Sequence, residues 1–534
     1  MPTTAEIVAA TLHERGVRRI FGLPGGEIAE LMGACRRLEI DFVLARHENA
    51  ACIMAGVTGE LSRRPGVVFA TVGPGATNLV NGVAGAFLER APLLALSAQV
   101  PTTVAHLLPH QRIDLHDLFR PITKRSEILT GKDTASVIRR ALDLTTSERP
   151  GPVFLALPSD IAHREEPLTP ETPHPPADAQ ASDPAGLAAA SRMLARAKRP
   201  LAVVGIGLDP AVERTALLRW LEATGIPVAV TPKAKGLVPE DHPQFLATCT
   251  GMAGDALFMD FLRQADLLVG VGFDPVEAIR VFYVERPFLS IARYPLADRE
   301  FAPTLELVGD VSTLLAALQS RSAGGFDWRP EEWAGLRRRL AAHLTPEAEP
   351  SGKGLSPARV LTRLRGLTPR QTILTVDTGA HKLLAGQIWP AYEPQTYLVS
   401  HGLSTMGFAL PAAIAAKLER PDAPVVALTG DGGLAMVLGE LETAARLSLP
   451  IVIVVFVDRG LHLIRLHQER KGVEPNGVDF GPIDFAGIAP GFGARGVRTA
   501  TWPLFEEAVR NALHSDRPTV IEVPIDPAEY RQML

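Results

Sequence analysis

Short apolar runs recur along this chain. Each ends in a glycine-rich turn and is followed by a segment whose apolar residues return at helical spacing. Val425–Thr429 and Ile451–Val457 are two such runs, and the segment Leu434–Leu447 between them has the pattern of a crossover helix. Asp41–Ala45 is a third run, leading into a helix through Arg46-His47-Glu48-Asn49. Runs apolar on both faces, alternating with helices, predict parallel strands in βαβ units. Two stretches break the rhythm. His163–Gly186 is rich in proline, acid and small polar residues, and Arg321–Pro357 carries an Arg-rich helical piece between two loose segments. Both read as linkers. The expected fold is α/β, with three doubly wound parallel-sheet domains at 1–165, 186–325 and 355–534.

The first and third blocks share one plan. "FATVGPGATNLVNGVAGAFLERAPLLALSAQV" and "VALTGDGGLAMVLGELETAARLSLPIVIVVFVD" both run strand, G-x-G turn, helix, proline, strand. Pro92 comes 18 residues after Pro74, and Pro450 comes 19 after Asp431. Any two βαβ units look somewhat alike, so the informative feature is a difference. Asp431 stands where the first block has Pro74.

Composition narrows the function classes. The chain has 534 residues, a formal net charge of -5, 46% hydrophobic and 21% charged residues. That is enough to bury several cores, and nothing is basic enough to bind nucleic acid non-specifically. The three cysteines, Cys35, Cys52 and Cys249, have no ligand spacing and fit a reducing compartment. No apolar run approaches the ~20 residues of a membrane span, and the N-terminus lacks the pattern of a signal peptide. A soluble, cytoplasmic protein is expected.

The chemistry sits at strand ends. Ligands bind at the C-terminal ends of parallel strands. Asp431 and Asp458 follow two adjacent strands, while Gly432 and Gly433 let backbone N–H groups approach an anion. A carboxylate beside a phosphate repels it unless a cation lies between. Mg²⁺ commonly bridges one or two carboxylates to phosphates. Asp431 and Asp458 therefore suit one metal bound to a diphosphate, with the Gly460 carbonyl as a third ligand. Taken alone, Asp431 reads first as a helix cap, and Glu48 first as an acid in a helix's first turn.

Gly430-Asp431-Gly432, a helix, Leu-Pro, a strand and then Val457-Asp458 resemble the thiamine-diphosphate motif. Asp458 falls at the position of the family's second, metal-ligating Asn, and Val457 replaces the first. "FGLPGGEI", "RHENAACIMAG" and "TVGPGATNLVNGVAGAF" resemble the N-terminal block of acetolactate synthase large subunits. The resemblance runs over all three blocks and names them pyrimidine-binding, central and diphosphate-binding. It implies that Glu48 activates thiamine diphosphate through the far nitrogen of its aminopyrimidine. It implies that Met406, in "SHGLSTMGFALPAAIAA", props the bent cofactor and that the Ser404 carbonyl accepts from its amino group. Gly379, Ala380 and His381 would lie near the diphosphate. The first block's acid and the third block's anchor would come from different subunits, which implies a homodimer or homotetramer.

The implied reaction decarboxylates a 2-oxo acid such as pyruvate. Pyruvate decarboxylases then protonate the acyl unit, using a Glu six residues after the metal-ligating Asn. Here that position is Ile464. Their His-His pair is replaced by His110-Gln111, and Gln111 followed by "PITK" resembles acetolactate synthases, although His110 and Arg112 depart from the usual Phe and Glu. Gly26 falls at the pocket floor. These residues favour transfer to a second carbonyl, with 2-oxo acid decarboxylation or C–C lysis of an acyl-CoA or sulfoacetaldehyde as the alternative. A cofactor-free regulatory homologue is the third reading, and it is disfavoured by the presence of Glu48 and Asp431. Some acetolactate synthases also bind FAD in the middle block. "LAVVGIGLDP" and "DLLVGVGFDP" lack a third glycine and a clear acid for the ribose, and no Ile-Asp-x-Asp follows, so FAD is disfavoured.

Overall fold

A computed structural model describes residues 1–107, 110–167, 183–278, 286–296, 302–319, 325–345 and 354–534. Most of the first expected linker, 168–182, lies outside the described residues, as do 321–324 and 346–353 of the second.

Three six-stranded sheets follow one another along the chain. The first holds β1 (Arg19–Leu23), β2 (Asp41–Leu44), β3 (Gly66–Ala70), β4 (Leu93–Gln99), β5 (Arg125–Ile128) and β6 (Pro152–Pro158). The second holds β7 (Pro200–Val204), β8 (Val228–Val230), β9 (Phe245–Thr248), β10 (Leu267–Val271), β11 (Phe288–Ala292) and β12 (Leu305–Val308). The third holds β13 (Ile373–Val376), β14 (Tyr397–Val399), β15 (Val425–Gly430), β16 (Ile451–Val457), β17 (Arg495–Arg498) and β18 (Thr519–Pro524). Every strand pair within these sheets is parallel. Central strands such as β4 and β16 are buried along their whole length. Their apolar side chains are covered by helices on both faces, as a parallel sheet requires.

Strand order separates the sheets into two kinds. The first runs β2-β1-β3-β4-β6-β5 and the third β14-β13-β15-β16-β18-β17. These are the same order once the strands of each sheet are counted from its own start. The second runs β12-β11-β10-β7-β8-β9, the order of dinucleotide-binding sheets, with its switch point between β7 and β10.

The first and third sheets are joined by one hydrophobic cluster. Helix Glu48–Ser62 packs on helix Ala409–Glu419. Both helices are rich in buried small residues, including Ala50, Ala51, Ala412, Ala413 and Ala416, all at most 1% exposed. Small side chains let the two backbones approach, so a bulky substitution there would cost about 1–3 kcal/mol through overpacking. This seam sets how the N-terminus of helix Glu48–Ser62, and with it Glu48, is presented.

The crossover after β15 differs from expectation. It is not one helix over Leu434–Leu447 but two, Asp431–Met436 and Glu440–Arg446. The first begins at the acid itself. The break has a tertiary cause: Gly439 lies against the Arg46 side chain, and the Glu440 carboxylate turns to the Arg46 and His47 backbone. These contacts outweigh local helix propensity. The first block has the same interruption, with Pro74–Asn78 followed by Val80–Leu88.

Candidate active site

Three neighbouring strands of the third sheet end at one cleft of about 570 Å³. β13 delivers Thr378, Gly379, Ala380 and His381. β15 delivers Gly430, Asp431, Gly432 and Gly433, and the segment after β16 delivers Asp458, Gly460, Leu461, His462 and Ile464. Phe456, Leu463, Met406 and Tyr530 complete the lining. Of the third-block residues singled out in the sequence, Ser404 alone does not line the cleft. It sits just outside, exposed, with φ +54°.

Asp431 is 4% exposed and its carboxylate organises the strand ends. Oδ1 accepts from the Gly432 N–H at 2.8 Å, and Oδ2 accepts from the N–H groups of Asp458 at 3.1 Å and Arg459 at 2.7 Å. Three of a carboxylate's roughly four acceptor sites are thus filled, leaving one on Oδ1. Burial, and then the neighbouring Asp458, push its pKa up to about 6. Two carboxylates held this close with burial opposing charge suit a shared cation. Asp458 Oδ2 lies 3.0 Å from His462 Nδ1. Among the described residues no group of three or more His, Cys, Asp or Glu side chains could hold a metal by itself. A cation here would need backbone carbonyl, phosphate or water oxygens as well, which is the habit of Mg²⁺.

His381 is 5% exposed, and burial lowers its pKa to about 4, so the ring is neutral. Its Nε2 is buried and without a hydrogen-bond partner, although the residue lines the cleft. An orphaned polar atom of this kind costs about 1–3 kcal/mol unless a ligand satisfies it. The glycines leave room for one. Gly432 would tolerate only a crowded Cβ, and a Cβ on Gly433 would come 2.7 Å from Asp377 Oδ2.

Sequence reasoning missed several residues. Asp377 follows β13 as Asp431 and Asp458 follow their strands, and it is wholly buried. It accepts from Thr378 N–H at 2.8 Å, Gly407 N–H at 2.9 Å and Thr429 Oγ1 at 3.1 Å, fixing Met406-Gly407 against the cleft. Burial raises its pKa to about 6. The pattern "Val-Asp" after an apolar run was the available signal. Lys382 donates to the Ser400 carbonyl at 2.7 Å and to Ser404 Oγ at 2.9 Å, and so holds the loop that carries Ser404. Burial lowers its pKa to about 8. Glu440, 1% exposed, accepts from the N–H groups of Arg46 at 2.9 Å and His47 at 3.2 Å. Lys382 and Glu440 look like ordinary helix-surface residues, so no sequence signal marked them.

The first block forms a second cluster. Glu48, at the N-terminus of the helix that follows β2, is 5% exposed and accepts from Asn78 Nδ2 at 2.9 Å. Its Oε1 lies against Gly75 of the turn after β3. Gln111, with φ +64°, places its side chain against Gly73 of the same turn. Gly26 follows β1, is exposed and has open space above its Cα. His110 is exposed on the loop beside Gln111. Glu48, Gln111 and Gly26 thus share one end of the first sheet, yet none of them lines the cleft at Asp431 within the same chain.

Comparison with known proteins decides the family. "Thiamine pyrophosphate enzyme, C-terminal TPP binding domain" matches residues 377–523, the N-terminal TPP binding domain matches 2–118, and the central domain matches 187–318. The chain belongs to the thiamine pyrophosphate enzymes. Acetolactate synthase of Bacillus subtilis (strain 168) is 30% identical to it, over 98% of this chain and 93% of the relative. The acetolactate synthase isozyme 2 large subunit of Escherichia coli (strain K12) is 31% identical, over 98% and 96%. The catabolic acetolactate synthase of Raoultella terrigena is 30% identical, over 98% and 95%. This thiamine pyrophosphate enzyme is therefore of the acetolactate synthase type, with three α/β parallel-sheet domains as its sequence predicted. Among the described residues, no helix is long and apolar enough to cross a membrane.

Proposed function

We propose that this enzyme is a thiamine-diphosphate- and Mg²⁺-dependent carboligase. It decarboxylates a 2-oxo acid such as pyruvate and passes the acyl unit to a second carbonyl compound. The observation that carries the reading is the cleft at three strand ends, where the buried Asp431 and half-buried Asp458 carboxylates, an unpartnered imidazole nitrogen and a glycine cradle converge. Asp431 and Asp458, with the Gly460 carbonyl, hold the cation. His381 Nε2 and the Gly379 and Gly432-Gly433 backbone meet the diphosphate. Thiamine diphosphate, when bound, supplies a nucleophilic carbon that carries the acyl unit between donor and acceptor.

The remaining residues position and exclude. Glu48 holds or releases a proton at the aminopyrimidine, oriented by Asn78. Met406 would support the cofactor, and the Ser404 carbonyl would accept from its amino group, while Lys382 keeps that loop in place. Ile464, 46% exposed at the cleft, offers no proton to the acyl unit. This absence of an acid favours transfer over simple decarboxylation. Because Glu48 does not line its own chain's cleft, it acts on the cofactor of a partner subunit, and the smallest active unit is a homodimer.

Incubation with pyruvate, thiamine diphosphate and MgCl₂ tests the reading. Acetolactate, seen as acetoin after acid treatment, is the expected product. Free acetaldehyde alone indicates a decarboxylase, and no turnover of pyruvate with cleavage of an acyl-CoA or sulfoacetaldehyde indicates a lyase.

A further inference from the structure

The central domain has the strand order of a dinucleotide-binding sheet, and its first strand, β7, ends in Gly205-Ile206-Gly207. In such folds the N–H groups of this turn and the helix after it receive a pyrophosphate. Here all three N–H groups are already engaged. Gly205 donates to the Val271 carbonyl at 3.1 Å and Gly207 to the Gly272 carbonyl at 2.7 Å. Ile206, between them, donates to Glu277 Oε2 at 2.9 Å. The acceptor carbonyls belong to the last residue of β10, the strand across the switch point, and to the glycine turn after it. The two turns therefore close on each other. A Cβ on Gly207 would lie 2.7 Å from Gly272 O.

Glu277 is 1% exposed. Its carboxylate also accepts from Thr231 Oγ1 at 2.8 Å and from the Lys233 N–H at 3.1 Å, after β8. One internal carboxyl group thus collects donors from two strand ends, as a bound phosphate would. The helix that follows, Pro210–Thr224, is capped by Asp209, whose side chain accepts from the Ala211 N–H at 2.9 Å. Glu213 in its first turn accepts from the Asp209 N–H. The helix N-terminus therefore meets incoming anions with two acids. The guanidinium groups around the adjacent cleft are engaged as well. Arg90 pairs with Asp274 at 2.8 Å, Arg293 pairs with Glu213 at 2.6 Å, and Arg63 donates to the Leu208 carbonyl at 3.2 Å.

We infer that the central domain is a dinucleotide-binding fold closed from within, in which the Glu277 carboxylate takes the place of a nucleotide phosphate, so that this enzyme accepts neither FAD nor another nucleotide at that turn. The closure also serves the third block. The Glu277 carbonyl lies 3.1 Å from His401 Nε2, at the start of the loop that carries Ser404 and Met406.

The test is nucleotide binding by the full-length protein, which does not depend on thiamine chemistry. Purified wild type should carry no visible flavin absorbance and should give no saturable heat with FAD or ADP up to millimolar concentration. A stoichiometric flavin, or an ADP Kd below ~0.1 mM, overturns the inference. In Glu277→Gly the three donors are uncovered, and ADP should bind at least about tenfold more tightly than to wild type. A folded Glu277→Gly protein with unchanged ADP affinity would show that this carboxylate is not the closure. If that variant does not fold, the wild-type titrations still decide the point.

Discussion

Replacing Asp431 by asparagine separates its two roles. The folded-state pKa is raised to about 6 from an ordinary 3.8, first by burial and then by Asp458. For a raised acid the folded state holds its proton while the unfolded chain has lost it. Stability is therefore complete below pH ~4 and falls as pH rises to ~6. Above that, the buried charge costs on the order of 3 kcal/mol, from about two pKa units at 1.36 kcal/mol each. Asp431→Asn removes this cost. It also leaves one of the three N–H donors without an acceptor, because an amide has a single carbonyl oxygen, and that loss is about 1–3 kcal/mol. The cofactor-free variant should thus lie within about 2 kcal/mol of wild type at pH 8 and be the less stable of the two at pH 4. Ligand binding behaves differently. Thiamine diphosphate with MgCl₂ at a hundred times Kd should stabilise wild type by about 2.7 kcal/mol and the variant by almost nothing. Thermal unfolding at both pH values, with and without cofactor and metal, measures all four quantities. Equal metal-dependent stabilisation of the variant would refute the metal assignment. A loss above ~4 kcal/mol without ligand would make Asp431 a structural residue instead.

Glu48→Gln keeps the Asn78 hydrogen bond, so folding and cofactor affinity should persist while turnover falls by about 10²–10⁴-fold; unchanged turnover in a pyruvate assay removes Glu48 from the mechanism. Ile464→Glu places an acid at an exposed cleft position, so stability should change by less than ~0.5 kcal/mol while product shifts from acetoin toward acetaldehyde; a constant ratio contradicts the role given to this position. Glu440→Ala strips the acceptor from two backbone N–H groups beside Glu48 and should lower kcat with cofactor affinity retained, whereas Glu440→Gln should recover most of the loss. Reduced stability with an unaltered kcat in the alanine variant would leave Glu440 a purely structural contact.

Local patterns carried the fold and one half of the site. β16 was legible to the residue because seven apolar residues between Pro450 and Asp458 permit little else. Asp431 and Asp458 were legible as a pair because each ends such a strand. What could not be read is long-range. The break at Val437–Gly439 follows from Arg46 and His47, nearly 400 positions earlier in the chain. Lys382 becomes a buried anchor only because the loop from Ser400 folds over it. Glu277 sits in an unremarkable "DPVE" turn, and its part in closing the central domain depends on strands β7 and β8 meeting it in space. Residue types at strand ends report chemistry; donors and acceptors that meet across domains do not announce themselves in one dimension.

Subunit mixing tests most directly whether two chains share each site. Glu48→Gln and Asp431→Asn chains, each inactive alone, are unfolded and refolded together, or co-expressed with different tags. With sites built between partners, each mixed dimer holds one site with both acids intact and one with neither. Random pairing makes half the dimers mixed, so about a quarter of wild-type specific activity should return. Activity that stays at the level of the separate variants, in a preparation shown to contain mixed dimers, would mean that each chain completes its own site, and Glu48 would have no place in its partner's cleft.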